Sequence, residues 1–144
     1  MSRDNPQHPN VYVSPVLEHF FNPRNVGEIE NPDGVGVVGD PECGDHFKVW
    51  IRVKGNLLAE VKYKVFGCPT AIATCSMMSE LATGKTVEEA YALDDLDIMN
   101  ALGGLPEAKQ HCSNHAAAAL HEAINDFVFG RRTRENEADS DNER

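Results

Sequence analysis

Apolar side chains take every second position from Phe47 through Val49 and Ile51 to Val53, with Lys48, Trp50 and Arg52 between them. The alternation returns at Val61, Tyr63 and Val65, where Lys62 and Lys64 fill the intervening places. A period of two turns the apolar residues of a run to one face of a strand. Lys54, Gly55 and Asn56 between the runs carry turn chemistry, so the two runs predict an antiparallel hairpin. Residues 35–38 predict a third strand. A sheet of this kind has one apolar face, which needs a cover.

A change of period supplies that cover. Over residues 70–83, Ile72, Ala73, Met77 and Leu81 recur at helical spacing, and Gly84 ends the run. Thr86 and Glu89 have the spacing of a capping box for a short helix through Tyr91 and Ala92, and residues 96–102 make another, closed by Gly103 and Gly104. A long helix is expected to begin at Pro106 and to stop at Gly130, with Cys112, Ala116, Ala119, Leu120, Ala123, Ile124 and Phe127 on its apolar stripe. Upstream, Ser14 as N-cap and Pro15 at the first helical position open a short helix over 15–21, which Asn22 and Pro23 stop. Strands followed by helices give an α+β, two-layer plan: a three-stranded antiparallel sheet covered by helices, with a long C-terminal helix. Residues 1–14 read as a flexible arm and 15–130 as the folded domain. Residues 131–144, nine of them charged and without an apolar face, read as a disordered tail.

Charge narrows the function. The 144 residues carry a net charge of −10, with a pI near 4.9. Nucleic-acid binding and docking on anionic lipid both call for a basic balance, so neither nucleic acid nor membrane is an expected partner. No apolar run is long enough to cross a bilayer and no signal sequence is evident at the start, so a cytoplasmic location is expected. In that reducing setting four cysteines point to metal or sulfur chemistry rather than disulfides.

Three of the four lie at element boundaries: Cys43 in Glu42-Cys43-Gly44-Asp45, Cys68 in Gly67-Cys68-Pro69, and Cys112 in His111-Cys112-Ser113. As N-cap ahead of Pro69, Cys68 would face the positive end of a helix dipole, which favours the thiolate. Gly44 and Gly67 let backbone N–H groups approach a bound anion or sulfide. Taken singly, each could be a buried structural cysteine, and the spacing alone is a weak metal signal. Cys75 falls two turns into a helix and reads as a core residue, too far from Cys68 to share a small cluster.

In order along the chain, Asn22-Pro23-Arg24-Asn25-Val26-Gly27, Cys43-Gly44-Asp45, Phe66-Gly67-Cys68 with Ala71-Ile72-Ala73, and Lys109-Gln110-His111-Cys112-Ser113 resemble the IscU/NifU-type iron–sulfur cluster scaffold proteins. The resemblance covers about residues 14–129. It implies a non-enzymatic scaffold and sulfur acceptor on which a 2Fe–2S, or alternatively a 4Fe–4S, cluster is assembled from iron and sulfur and passed to apo-proteins. It makes Cys43, Cys68 and Cys112 the cluster cysteines, Asp45 a ligand that keeps the cluster labile, and His111 an alternative fourth ligand. Cys112 would accept persulfide sulfur from a cysteine desulfurase, and Lys109 would line the site. His115, one turn beyond His111, is expected in a surface or capping role rather than as a ligand. His46 should point to the opposite strand face from Asp45.

Two departures stand out. The Leu-Pro-Pro-Val-Lys segment that an Hsp70-type chaperone reads in the family is Leu105-Pro106-Glu107-Ala108-Lys109 here, which weakens that partner. The residue after the second cysteine is Pro69 instead of glycine, and Cys75 replaces a common serine. Two rivals use the same residues: a zinc-dependent sulfur-accepting transferase of SufU type, which lacks a histidine at the place of His111, and a structural zinc module. Zinc is also expected to enter the scaffold site on purification.

Overall fold

The computed structural model describes residues 14–40, 45–105 and 107–130. The N-terminal arm, the Cys43 loop and the charged tail lie outside the described residues.

Helix α1 (Ser14–Phe21) precedes three strands, β1 (Gly34–Asp40), β2 (Asp45–Lys54) and β3 (Leu57–Phe66). They form one antiparallel sheet in the order β1-β2-β3. The hairpin turn falls on Gly55 and Asn56 with φ of 57 and 67, the left-handed pair that a two-residue turn between twisted strands requires. Register aligns Val49 with Tyr63 and Ile51 with Val61, so the alternating residues share one buried face with Phe47.

That face is covered by α2 (Pro69–Ala82) and α5 (His111–Asn125), with the short helices α3 (Val87–Tyr91) and α4 (Asp95–Ala101) between them in sequence. Helix α5 sits directly on β1. A Cβ at Gly34 or Gly36 would stand 2.2 Å from the Ala123 or Ala119 carbonyl oxygen, so only glycine permits this approach. Thr86 and Glu89 form the expected capping box. A second box, Asp94 with Asp97, opens α4 one residue before the expected start.

The long helix begins later than the sequence suggests. Residues Glu107–Lys109 form a 3-10 turn, closed by the i→i+3 bond from Gln110 N–H to the Glu107 oxygen (3.3 Å), and α5 proper starts at His111, where Ser113 N–H bonds the Gln110 oxygen at 3.2 Å. A proline opens a 3-10 turn as readily as an α-turn, since its missing N–H goes unused in either. At the other end the helix widens into a π turn over Asp126–Gly130, and the Asp126 carboxylate accepts the Val35 N–H of β1 at 2.9 Å.

Residues 22–27 act as a strap. Arg24 N–H donates to Ser76 Oγ at 2.9 Å, Asn25, at φ 62, donates its amide to Ser79 Oγ at 2.9 Å, and Gly27 N–H donates to the Tyr63 oxygen at 3.0 Å. Ser76 Oγ also lies 2.7 Å from Nδ1 of the buried His19 on α1. These bonds tie α1 and the edge of β3 to the middle of α2, the helix whose first turn carries Cys68.

Candidate metal and sulfur site

Cys68 is the N-cap of α2 with φ −76 and ψ 170, and Pro69 occupies the first helical position, as expected. Cys112 is the second residue of α5. Two helix N-termini therefore bring two thiols together, and their Sγ atoms stand 3.7 Å apart. Both dipoles favour negative charge at this point. Thr74 fixes the relation between the helices: its hydroxyl bonds the Ala71 oxygen within α2 at 2.9 Å and reaches the Cys112 oxygen at 3.4 Å.

His111, the exposed first residue of α5, puts Nε2 3.7 Å from Cys112 Sγ. Lys109 ends the preceding 3-10 turn, half-buried, two residues from His111. Cys68 is partly exposed, whereas Cys112 is fully buried. Asp45 begins β2 and pairs in register with Asp40; its side chain, and the whole of Cys43, lie outside the described residues. The ends of the β1–β2 connection nevertheless fall at the end of the sheet where Phe66, paired with His46, leads on to Cys68. Among the described residues no three Cys, His, Asp or Glu side chains converge closely enough to hold a metal alone.

Cys75 stays apart. It is fully buried in α2, and burial, reinforced by the nearby Cys112, pushes its thiol pKa far up, so it remains a protonated core residue. His46 is exposed and lines a groove with Lys48 and Trp50; the Asp45 side chain, the reference for its expected direction, lies outside the described residues. His115 departs from its expected surface or capping role. Its ring is half-buried, edge-on to Phe47 at 5.4 Å and to His111 at 5.7 Å between centroids, and Nδ1 is buried without a hydrogen-bond partner among the described residues. The helix stripe carries it against Phe47 of β2.

Over residues 11–135 the chain matches the family model described as the NifU-like N-terminal domain. The chain belongs to this family. The NifU-like chain is 53% identical over 117 residues to iron–sulfur cluster assembly scaffold protein IscU 1 of Archaeoglobus fulgidus, covering 81% of this chain and 76% of that protein. It is 43% identical over 120 residues to the scaffold protein IscU of Aquifex aeolicus, covering 82% and 76%. Among solved structures it resembles the SufU protein of Fervidobacterium islandicum AW-1, at TM-score 0.65 and 21% identity over 78% of this chain and 96% of that one. It also resembles a NifU-like N-terminal structure from Brucella abortus, at TM-score 0.57 and 22% identity over 85% and 93%. These likenesses establish the α+β fold. No helix among the described residues is long and apolar enough to cross a membrane.

Sequence alone gives Asn22-Pro23-Arg24-Asn25-Val26-Gly27 as a family signature and not as a strap. Its anchors are Ser76 and Ser79, two buried hydroxyls inside an apolar helix, and polar residues on such a face are the signal that could have revealed it.

Proposed function

We propose that this chain builds an iron–sulfur cluster on Cys43, Cys68 and Cys112 and hands it to other proteins, with iron and sulfide as cargo. The observation that carries the reading is the 3.7 Å contact between Cys68 Sγ and Cys112 Sγ at two helix N-termini. Three thiolates with one further ligand supply the four protein positions of a 2Fe–2S cluster. Asp45 or His111 completes the set, the former a hard oxygen that binds iron less firmly than sulfur does and so leaves the cluster able to depart. Lys109 offsets the negative charge of thiolates and sulfide. The names of the relatives support the scaffold role.

Cys112 is the sulfur acceptor in this reading. Its thiolate attacks the outer sulfur of a cysteine desulfurase persulfide, a new S–S bond forms on Cys112, and the desulfurase cysteine departs as thiolate. Cys112 is fully buried, so its surroundings must open when the desulfurase docks. Apo iron–sulfur proteins receive the product, and the altered Leu105-Pro106-Glu107-Ala108-Lys109 segment makes assistance by an Hsp70-type chaperone weak. A reducing compartment such as the cytoplasm keeps the thiols available.

The same donors suit zinc, so the test must separate the two metals. Anaerobic reconstitution with ferrous iron, cysteine, a desulfurase and an added thiol reductant, which supplies the two electrons that take each persulfide sulfur to sulfide, should give visible absorption, with iron and acid-labile sulfide in equal amounts. Tightly held zinc that iron and sulfide cannot replace would sink the scaffold reading.

A further inference from the structure

The net charge of −10 conceals a basic surface. Five of the eight lysines and arginines between Ser14 and Gly130 lie on β2 and β3: Lys48, Arg52, Lys54, Lys62 and Lys64. Register sets Lys48 beside Lys64 and Trp50 beside Lys62, on the face opposite the core. Glu60 pairs with Arg52 at 3.3 Å and Glu28 with Lys64 at 2.6 Å, whereas Lys48 and Lys62 form no ion pair among the described residues. The Lys48 ammonium lies 5.0 Å over the Trp50 ring. Beside them runs a groove of ≈ 550 Å³ whose lining includes Trp50, Val26 and the 78% exposed Phe66.

We propose that this face is a docking site for the chain's own acidic run, residues 135–143. Glu135, Glu137, Asp139, Asp141 and Glu143 alternate strictly with Asn136, Ala138, Ser140 and Asn142. In an extended segment that alternation sets all five carboxylates on one side, about 7 Å apart, the same repeat that places Lys62 and Lys64 on one strand face. The point of departure fits as well. The described chain ends in the π turn beside β1, an edge strand, where Asp126 bonds Val35 and Glu122 packs at Gly36. The basic residues Arg131, Arg132 and Arg134 come first in sequence and complement the charge of this acidic corner. Residues 131–134 span up to about 13 Å, enough to round the edge of β1, and β3 lies only about 10 Å further across the sheet.

Each exposed ion pair is weak, but a tether raises the local concentration of the run to about the millimolar range. The docked state is therefore populated and salt-sensitive. This inference does not depend on which cargo the site holds.

Lysine footprinting by a small acylating reagent tests it on the full chain. At low salt, Lys48, Lys62 and Lys64 should react about threefold more slowly in the full chain than in a chain cut after Gly130, with Lys85 unchanged. The difference should vanish near about 0.5 M NaCl. It should also vanish in the full-length Glu135→Gln, Glu137→Gln, Asp139→Asn, Asp141→Asn, Glu143→Gln variant. Equal rates in the full and cut chains overturn the proposal, as does protection that survives in the amide variant. Protection that grows with protein concentration would assign the face to a second copy instead, and overturns the intramolecular docking.

Discussion

Cys68 Sγ and Cys112 Sγ stand 3.7 Å apart although 44 residues separate them in the chain. Two thiolates bound at about 2.3 Å to one tetrahedral metal stand about 3.8 Å apart, so the pair already has the edge length of a coordination tetrahedron. Replacing either sulfur shortens the ligand set. Cys68→Ser and Cys112→Ser should each lose most of the iron and sulfide retained after gel filtration of reconstituted protein. Cys75→Ala should retain both and cost only about 1 kcal/mol of stability for a small cavity. Retention of a full cluster by Cys112→Ser would remove Cys112 from the ligand set.

Exposure sets a second order among these thiols. Cys68 is partly exposed, Cys112 and Cys75 are fully buried, and Cys75 lies within the helical layer. Alkylation requires a reachable thiolate. In the metal-free protein, iodoacetamide should therefore modify Cys68 first, Cys112 only after local opening, and Cys75 last. Peptide mapping over time checks the order. Adding a desulfurase that loads Cys112 should proceed faster than alkylation of Cys112 in its absence, because docking supplies the opening. If Cys112→Ser accepts sulfur as fast as the parent chain, Cys112 is not the acceptor.

Asp45 is two residues from Cys43 and begins β2. A carboxylate among thiolates is the weakest soft-metal ligand of the set. Asp45→Ala should lengthen the lifetime of a reconstituted cluster several-fold, followed by the decay of visible absorption with and without an apo-acceptor. Equal decay in variant and parent would exclude the carboxylate from cluster release.

Much of this arrangement was legible before the structure, and the exceptions have physical causes. The hairpin could be read because a period of two leaves no other face for Phe47, Val49 and Ile51. Cys68 as N-cap could be read because Pro69 admits few other positions. The start of α5 could not, since Pro106 suits a 3-10 turn equally well. Trp50 alternates onto the outer face yet is only 6% exposed: sequence period reveals which face a residue takes, not what the chain later lays beside it. The Thr74 link to Cys112 is a tertiary contact with no local signature, and the strap leaves only the trace of Ser76 and Ser79, polar residues on a buried helix face. Cys43 and the side chain of Asp45 remain expectations from sequence.

The seat of α5 on β1 gives a stability test independent of any metal. A Cβ at Gly36 would meet the Ala119 oxygen at 2.2 Å and the Ala123 nitrogen at 2.4 Å, both backbone atoms that cannot rotate away. Gly36→Ala should cost about 3 kcal/mol or more by forcing helix from sheet. It should appear as a lower denaturant midpoint at unchanged slope. Gly55→Asn, at a turn position with φ 57 and open space around it, should stay within about 1 kcal/mol of the parent.

The His19 anchor should make the fold sensitive to acid. Its ring is 5% exposed, with Nδ1 at 2.7 Å from Ser76 Oγ and Nε2 at 3.2 Å from Glu80 Oε1. Arg24, ion-paired with Glu18 and 3.7 Å from Glu80, brings a positive charge to the same cluster. Burial, then Arg24, lowers the His19 pKa below its ordinary 6.5, while Glu80 and Glu18 only partly oppose them. A histidine whose folded pKa is depressed binds its proton more readily in the unfolded chain. Its contribution is therefore fully present above about pH 6.5 and is lost as the pH falls through that value toward the folded pKa. Denaturant midpoints between pH 8 and pH 5 should fall with acidification. His19→Gln, which cannot titrate, should flatten the part of the slope that lies just below pH 6.5 while lowering stability at neutral pH. Because His19 shares Ser76 with the strap, the same acidification should loosen α1 and residues 22–27 first, visible as faster amide exchange at Arg24 and Gly27 than at Val49 or Ile51. An identical pH slope for His19→Gln and the parent would show that the acid sensitivity resides elsewhere.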